Sequence, residues 1–226
     1  MLLHQNKKDA FFHQARINMI KNQIMPHAIN NHKLVKAMLH IPRETFITSK
    51  KWQDLAYIDD NILLEDDRAL LKPDIIARML DNATVQQDDK VLIIGDGSGY
   101  IASLVSLLAK ETISIESISA LSYEAHKNLL YLNIKNFLIV NQLEMELGYY
   151  ERGPFDIIII ADYIYDTMPI TLLDQLSQNG RALSIVKHNN IPKMLKYWKN
   201  NNHQIQREEL FLASIEKRWS GAGCRI

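Results

Sequence analysis

The stretch VLIIGDGSGY at positions 91–100 decides the fold of this chain. Four apolar residues form a candidate buried strand, and Gly95, Gly97 and Gly99 follow it within five positions. Glycine tolerates positive φ and lets backbone N–H groups approach a ligand closely, which favours a binding turn between a strand and a helix. A ligand is therefore expected at the carboxyl end of this strand, as in open α/β sheets generally.

The spacing of the glycines indicates which ligand. A dinucleotide-binding turn requires its third glycine one position later, where Tyr100 stands, whereas Gly-x-Gly-x-Gly is typical of turns that bind S-adenosylmethionine. Residues 95–99, with Asp96 and Ser98 between the glycines, are thus predicted cofactor contacts. The alternative interpretation is a tight strand-to-helix turn that binds nothing.

A second candidate contact ends the next apolar run, ISIE at 113–116. The carboxylate of Glu116 can accept hydrogen bonds from both hydroxyls of a ribose, and Ser117 follows it directly. Taken alone, Glu116 fits a solvated strand end or a helix cap better than a ligand contact. Its place one strand after the glycine turn reverses that preference and predicts a cofactor contact.

A third contact is expected after the run FLIV at 137–140. In this loop Gln142 is a candidate partner for the adenine amino group and Leu143 for the face of the adenine ring. Asn141 fits a contact and a strand-terminating turn residue equally well.

The wall near the transferred methyl group is expected after the run FDIIIIA at 155–161. Ala161 is the candidate contact there. Asp162 could hold the amino end of the cofactor, but an exposed loop carboxylate is the preferred interpretation. The Ala-Asp-Tyr sequence differs from the Asn/Asp-Pro-Pro-aromatic motif of enzymes that methylate base amino groups, which disfavours that reaction.

From residue 90 onward, apolar runs alternate with helical stretches. The segments are strands at 91–94, 113–116, 137–140, 155–161 and 182–186, with helices at 100–110, 120–133 and 170–178. This alternation predicts an α/β fold with a doubly wound, mostly parallel sheet of the Rossmann-like type. The segments MLKYW and QREELFLASIE, at 194–198 and 206–216, predict an antiparallel C-terminal hairpin at its edge.

The first 80 residues have a different pattern. Apolar residues at helical spacing over residues 10–40 predict two or three short helices, and an irregular segment follows from Pro42. Its aromatic residues Phe46, Trp52 and Tyr57 are expected to fasten it to a core. We interpret residues 1–226 as a single domain, with N-terminal helices and a substrate loop over 1–80 and the cofactor-binding core over 81–226.

Composition disfavours several classes of partner. Lys+Arg and Asp+Glu both number 26, so the chain lacks the basic excess typical of nucleic-acid or acidic-membrane binding. No apolar run approaches about 20 residues, so no membrane span is expected. A single cysteine, Cys224, and a polar start predict a cytoplasmic protein. The eight histidines lack metal-ligand spacing, and no metal site is predicted.

These motifs resemble those of the protein-L-isoaspartate O-methyltransferases over most of the chain, from about Met19 to the tail. VLIIGDGSGY is similar to the first motif of that family. The other matching segments, in order, are MIKNQI, AMLHIPRETF, DLAY, GPFDIIIIA, LLDQLSQNGRA and REELF.

The resemblance implies a protein-repair activity that uses S-adenosylmethionine and acts on a protein or peptide substrate. Members of this family methylate the side-chain carboxylate of isoaspartyl residues, which lets a succinimide form and reopen toward aspartate. Such a carboxylate is already nucleophilic at neutral pH. Catalysis then requires alignment of the carboxylate with the sulfonium methyl and exclusion of water, without a strong general base.

The substrate segment departs from the family pattern. Matching through Pro73 places Ala69, Leu70 and Leu71 on the family's Thr-Ile-Ser triplet, whose serine is a substrate and catalytic residue. Leu71 has no hydroxyl and cannot orient a carboxylate by hydrogen bonding. The catalytic residue is therefore unassigned, and Leu70, Leu71 and Lys72 are the candidate substrate contacts.

The flanking loops also differ from the family. In the family, the loop before the triplet contains Gly and Gln, but this chain has Asp66, Asp67 and Arg68 there. The family's Gly-Asp-Gly segment is replaced by Asn141–Leu143. Either Arg68 or Lys72 could supply a replacement contact to the substrate carboxylate, although solvated cations are the more common case.

Three functions are consistent with these features. The first is an isoaspartyl-type methyltransferase with reduced or altered activity. The second is a catalytically inactive adaptor or sensor that binds the cofactor. The third is a methyltransferase for another protein, a small molecule or RNA.

Overall fold

The computed structural model describes residues 2–65, 68–165, 167–189, 191–200 and 204–213. The strands in these ranges are β1 (Ile62–Leu63), β2 (Ala69–Leu70), β3 (Lys90–Ile94), β4 (Glu111–Glu116), β5 (Phe137–Asn141), β6 (Phe155–Tyr165), β7 (Leu176–His188), β8 (Ile191–Lys199) and β9 (Ile205–Leu212). The α-helices are α1 (Leu2–Met19), α2 (His32–His40), α3 (Lys50–Gln53), α4 (Pro73–Ala83), α5 (Tyr100–Ser106), α6 (Ser119–Tyr131) and α7 (Ile170–Asp174).

A seven-stranded sheet of order β5-β4-β3-β6-β7-β8-β9 forms the centre of the described part of the chain. Strands β3 to β7 run parallel, and β8 and β9 add an antiparallel hairpin at one edge. The order reverses beside β3, because β4 lies on one side of it and β6 on the other. The predicted doubly wound fold and its C-terminal hairpin are confirmed.

The central strand β6 shows why the sheet is covered on both faces. Residues 157–160 are four consecutive isoleucines, all fully buried. Successive side chains of a strand point to opposite faces. Ile157 and Ile159 accordingly belong to one apolar cluster, and Ile158 and Ile160 belong to the other.

The N-terminal segment packs onto the first of these clusters. Helix α1 continues into a π-helical turn over Ile20–Ile24, and the Asn31 side chain caps α2 by accepting a hydrogen bond from the Leu34 N–H at 3.1 Å. Phe46 and Tyr57 are buried, whereas Trp52 is half-buried, so the aromatic anchoring expected for the irregular segment is present.

A small antiparallel hairpin of β1 and β2 was not predicted from the sequence. It lies over the glycine turn, because a Cβ built on Gly97 would come 2.8 Å from Leu64 Cδ1. Buried Arg43 holds the segment after the hairpin, donating from Nη2 to the Leu71 carbonyl and from Nε to the Ala56 carbonyl, both at 2.7 Å. The substrate segment is therefore fixed against the core.

Two predicted helices are shorter than expected. Helix α5 ends at Ser106, and the Lys110 N–H bonds instead to the Asp89 carbonyl at 3.0 Å. Helix α7 ends at Asp174 because the Gln175 carbonyl accepts a hydrogen bond from the Phe155 N–H at 2.8 Å, which directs the chain into β7.

Some predicted positions lie outside the described residues. They are Asp66 and Asp67, which directly precede Arg68 in the sequence, residues 201–203 between the two segments of the predicted hairpin, and residues 214–216 at the end of the last predicted strand. In the described ranges, no helix combines the length and apolarity needed to cross a membrane.

Candidate functional site

The glycine turn follows β3 as predicted, and each of its glycines has a positive φ: 73° at Gly95, 61° at Gly97 and 91° at Gly99. Their surroundings differ. A Cβ on Gly99 would lie 3.0 Å from the Cβ of Ala125 in α6, so this glycine permits close helix packing. A Cβ on Gly95 would make ordinary contacts with side chains only, Asp162 at 3.8 Å and Arg68 at 3.9 Å, so close packing does not explain this glycine.

The polar side chains within the turn point inward. Asp96 accepts hydrogen bonds from the N–H groups of Ile101 at 3.0 Å and Ala102 at 2.6 Å, at the start of α5. Burial raises the pKa of Asp96 to about 7, although both hydrogen bonds oppose the shift. Ser98 donates from Oγ to the Phe46 carbonyl. These two side chains stabilise the turn, which leaves only main-chain atoms of residues 96 and 98 as candidate ligand contacts.

Glu116 ends β4 directly beside the glycine turn. Its Oε2 accepts from the Gly97 N–H at 2.9 Å, and its Oε1 accepts from the Ile118 N–H at 3.0 Å. Its side chain is only 1% exposed. The structure therefore brings together the two features that the sequence placed on neighbouring strands.

The sequence did not indicate that Arg68 contacts Glu116. Its Nε lies 3.2 Å from Glu116 Oε1, its Nη1 2.8 Å from Asp162 Oδ2 and its Nη2 3.1 Å from Ser117 Oγ. Arg68 is 7% exposed, so the expectation of a solvated cation was wrong. Two carboxylates and a hydroxyl replace water around its guanidinium.

Arg68 also contacts buried Met145, whose Sδ lies 3.6 Å from Arg68 Nη2. Sequence reasoning missed Met145 altogether. The available signal for Arg68 was a single cation between Asp66 and Asp67 on one side and the predicted substrate segment on the other.

Asp162 was expected in an exposed loop, and this was wrong as well. Strand β6 continues to Tyr165, with an irregular register against β7 between Ile159 and Tyr163. Asp162 therefore lies within the strand, where its side chain is 17% exposed and paired with Arg68. Ala161 beside it is buried.

The loop after β5 is held by its own hydrogen bonds. Gln142 donates from Nε2 to the carbonyls of Glu144 at 2.7 Å and Gly148 at 3.2 Å. Asn141 donates from Nδ2 to the Glu116 carbonyl at 2.8 Å, which ties the end of β5 to that of β4. Leu143 is 84% exposed. These residues border the site, and their roles as adenine contacts stay predictions.

The substrate segment offers few polar side chains. Leu70 and Leu71 are buried, with 2% and 5% exposure. Lys72 was expected to be solvated, but its Nζ lies 3.2 Å from Asp74 Oδ1 and 3.8 Å from Asp59 Oδ1. Neither leucine can replace a serine hydroxyl, and Lys72 is directed toward the start of α4.

No metal centre is found in the part of the chain that the structure describes. Within it, no three His, Cys, Asp or Glu side chains are grouped closely enough to hold an ion.

Comparison with known proteins gives consistent results. The family model for protein-L-isoaspartate(D-aspartate) O-methyltransferase matches residues 14–213. A protein-L-isoaspartate O-methyltransferase of Syntrophus aciditrophicus is 31% identical over 217 residues, which cover 93% of this chain and 98% of the relative.

Two solved structures have the same fold. One, described as a protein-L-isoaspartate O-methyltransferase, matches with a TM-score of 0.78 and 22% identity over 88% of this chain and 64% of its own. The other, described as a protein-L-isoaspartate O-methyltransferase from Plasmodium falciparum in complex with S-adenosyl-L-homocysteine, matches with a TM-score of 0.72 and 20% identity. That alignment covers 92% of this chain and 99% of the other.

Proposed function

Because the chain belongs to the protein-L-isoaspartate(D-aspartate) O-methyltransferase family, a family of S-adenosylmethionine-dependent methyltransferases, we propose that it methylates a protein carboxylate and that its transfer to isoaspartyl residues is weakened. The observation that carries this proposal is the contrast between two parts of one site. Glu116 lies hydrogen-bonded to the glycine turn, as the predicted cofactor site requires, whereas Leu71, which the sequence resemblance aligns with the family serine, is a buried apolar side chain.

The residues at the ends of β3 and β4 fit the cofactor. The described atoms nearest to a Cβ built on Gly95 belong to side chains, Asp162 at 3.8 Å and Arg68 at 3.9 Å, and Glu116 presents a carboxylate one strand away, a suitable partner for ribose hydroxyls. Two backbone N–H groups already hold that carboxylate, so its orientation does not depend on a ligand. When bound, S-adenosylmethionine supplies an electrophilic sulfonium methyl group.

The chain's own contribution to transfer is alignment and exclusion of water. The β1–β2 hairpin covers the glycine turn through Leu64, and Arg43 fixes the backbone of Leu71. The segment is thus positioned, but its leucine side chains cannot hold a substrate carboxylate by hydrogen bonds. A poorly oriented carboxylate reacts slowly, since a misplacement of about 1 Å costs on the order of 10²-fold in rate.

A methyl-transfer assay tests this proposal. We expect S-adenosylhomocysteine to bind measurably in calorimetry, and radiolabelled methyl transfer to an isoaspartyl peptide to be about 10²-fold or more below that of a family member with the serine. Transfer at a comparable rate would refute the weakened activity. No detectable cofactor binding would refute the proposal as a whole.

The same contrast supports one second candidate, a cofactor-binding adaptor without turnover. Binding of S-adenosylhomocysteine with no methyl transfer to isoaspartyl peptides or to a mixture of cellular proteins would favour the adaptor. Labelling of other proteins in that mixture would instead indicate an altered substrate.

A further inference from the structure

We propose that Arg68 is an internal competitor for the ribose subsite, so that its guanidinium must leave Glu116 before the adenosyl group of the cofactor can bind. Arg68 would then set the affinity of the chain for its methyl donor. This inference rests on the proposed function, because it assumes that Glu116 is the ribose acceptor.

The guanidinium covers both predicted cofactor contacts at once. A Cβ built on Gly95 would lie 3.9 Å from Arg68 Cζ, so the Arg68 head group lies against this glycine. Its Nε bonds to Glu116 Oε1 at 3.2 Å. A ribose that donates both hydroxyls to Glu116 needs the space and the lone pairs that Arg68 uses.

The Arg68–Glu116 ion pair is shielded from solvent, so the guanidinium competes effectively with ribose hydroxyls for Glu116. The Arg68 and Glu116 side chains are 8% and 1% exposed. Water and salt screen such a pair far less than a surface pair. Displacement of the guanidinium therefore subtracts from the binding free energy of the cofactor.

Arg68 can nevertheless leave without stranding either charge. Glu116 keeps the N–H donors of Gly97 and Ile118, and ribose hydroxyls would take the place of the guanidinium. Asp162 gives Arg68 a second carboxylate partner, with Nη1 to Oδ2 at 2.8 Å, and its side chain is more exposed than Glu116. Arg68 can thus turn away from Glu116 while it keeps one charged partner.

The effect on affinity follows from the fraction of molecules in which Arg68 is displaced. The apparent Kd equals the intrinsic Kd divided by the binding-competent fraction. If about one molecule in ten is open, removal of the guanidinium tightens binding about tenfold. A residue that contacts the cofactor favourably would have the opposite effect when removed.

Calorimetry with S-adenosylhomocysteine and with adenosine tests the proposal, using Arg68→Gln and the control Arg152→Gln. Arg152 is paired with Glu111 at the opposite end of β4, so its replacement also breaks an arginine–carboxylate pair. We expect Arg68→Gln to lower both Kd values about tenfold and Arg152→Gln to leave them unchanged. An unchanged or raised Kd for Arg68→Gln would overturn the proposal.

A thermal melt guards against a folding defect in the variant. Arg68→Gln should lower the melting temperature of the free chain yet increase the upward shift caused by S-adenosylhomocysteine, which a purely structural role would not do. If Arg68→Gln does not fold, Arg68→Lys serves instead. Its single ammonium cannot reproduce the three-nitrogen fork, so an intermediate tightening is expected, and no tightening would overturn the proposal.

The two proposals fail in different ways. If the native chain and every variant bind neither ligand, cofactor binding itself is refuted, and the competitor role of Arg68 is refuted with it. If the native chain binds and Arg68→Gln or Arg68→Lys binds no tighter, only the role of Arg68 is refuted.

Discussion

Asp96 is a buried carboxyl group between the glycines of the turn, and it titrates near neutral pH. Burial raises its pKa from an ordinary value of 3.8 to about 7, and the nearby charge of Glu116 adds to the shift. Between those two pH values the folded chain binds more protons at Asp96 than the unfolded chain does. The free energy of unfolding should therefore fall as pH rises from about 4 to about 7.

An Asp96→Asn variant isolates this dependence. Asparagine can accept only one of the two hydrogen bonds from Ile101 and Ala102, which should cost about 1–3 kcal/mol when Asp96 is protonated. Because asparagine does not titrate, the stability advantage of the native chain over the variant should shrink from pH 5 to pH 7. Urea unfolding at several pH values measures it, and a constant difference would show that Asp96 does not titrate in this range.

The sequence resemblance aligns Leu71 with the family serine, but replacement of Leu71 by serine should not restore the site. Leu71 is 5% exposed, so Leu71→Ser should lower the free energy of unfolding by about 2–5 kcal/mol. The methyl-transfer rate should rise only partly, since the neighbouring loop also differs from the family.

The control for that substitution is Leu212→Ser, because Leu212 is 66% exposed. It should change stability by about 0.5 kcal/mol or less. Urea unfolding and the isoaspartyl methylation assay are the two measurements. Full recovery of transfer in Leu71→Ser would show that the missing hydroxyl alone limits this chain.

At the scale of elements, two glycines of one short turn have different surroundings. Gly99 permits the contact between the start of α5 and α6, whereas a Cβ on Gly95 would meet only side chains at ordinary contact distance. Both have positive φ, so alanine at either position meets a similar backbone cost of about 1–2 kcal/mol. Their surroundings should separate the two substitutions.

We expect Gly99→Ala to be the more destabilising of the pair. Its Cβ would lie 3.1 Å from the Ala125 backbone Cα, which cannot rotate away, so the total loss should reach about 3 kcal/mol or more. Gly95→Ala should lose only the backbone cost and should instead weaken binding of S-adenosylhomocysteine. Urea unfolding and calorimetry measure these effects. Equal stability losses would contradict the helix-packing role assigned to Gly99.

The boundaries of elements were less predictable than their existence. The spacing of apolar residues and the placement of glycines indicated β3, β4, β5 and the hairpin of β8 and β9. Burial of a strand on one or both faces leaves such a pattern of apolar residues in the local sequence. The end of α7 did not follow from such a pattern. Gln175 is buried and donates to the Leu147 carbonyl at 2.7 Å, a contact made across 28 residues.

For the whole molecule, the sequence by itself determined the doubly wound sheet, the glycine turn after β3 and the place of Glu116 one strand away. Those features depend on side-chain period and backbone freedom, which are local properties of the chain. Only the tertiary structure decided that Arg68 bonds to Glu116 and Asp162, residues 48 and 94 positions further along. The geometry of such an ion pair depends on how the β1–β2 hairpin packs over the sheet, and no local pattern carries that information.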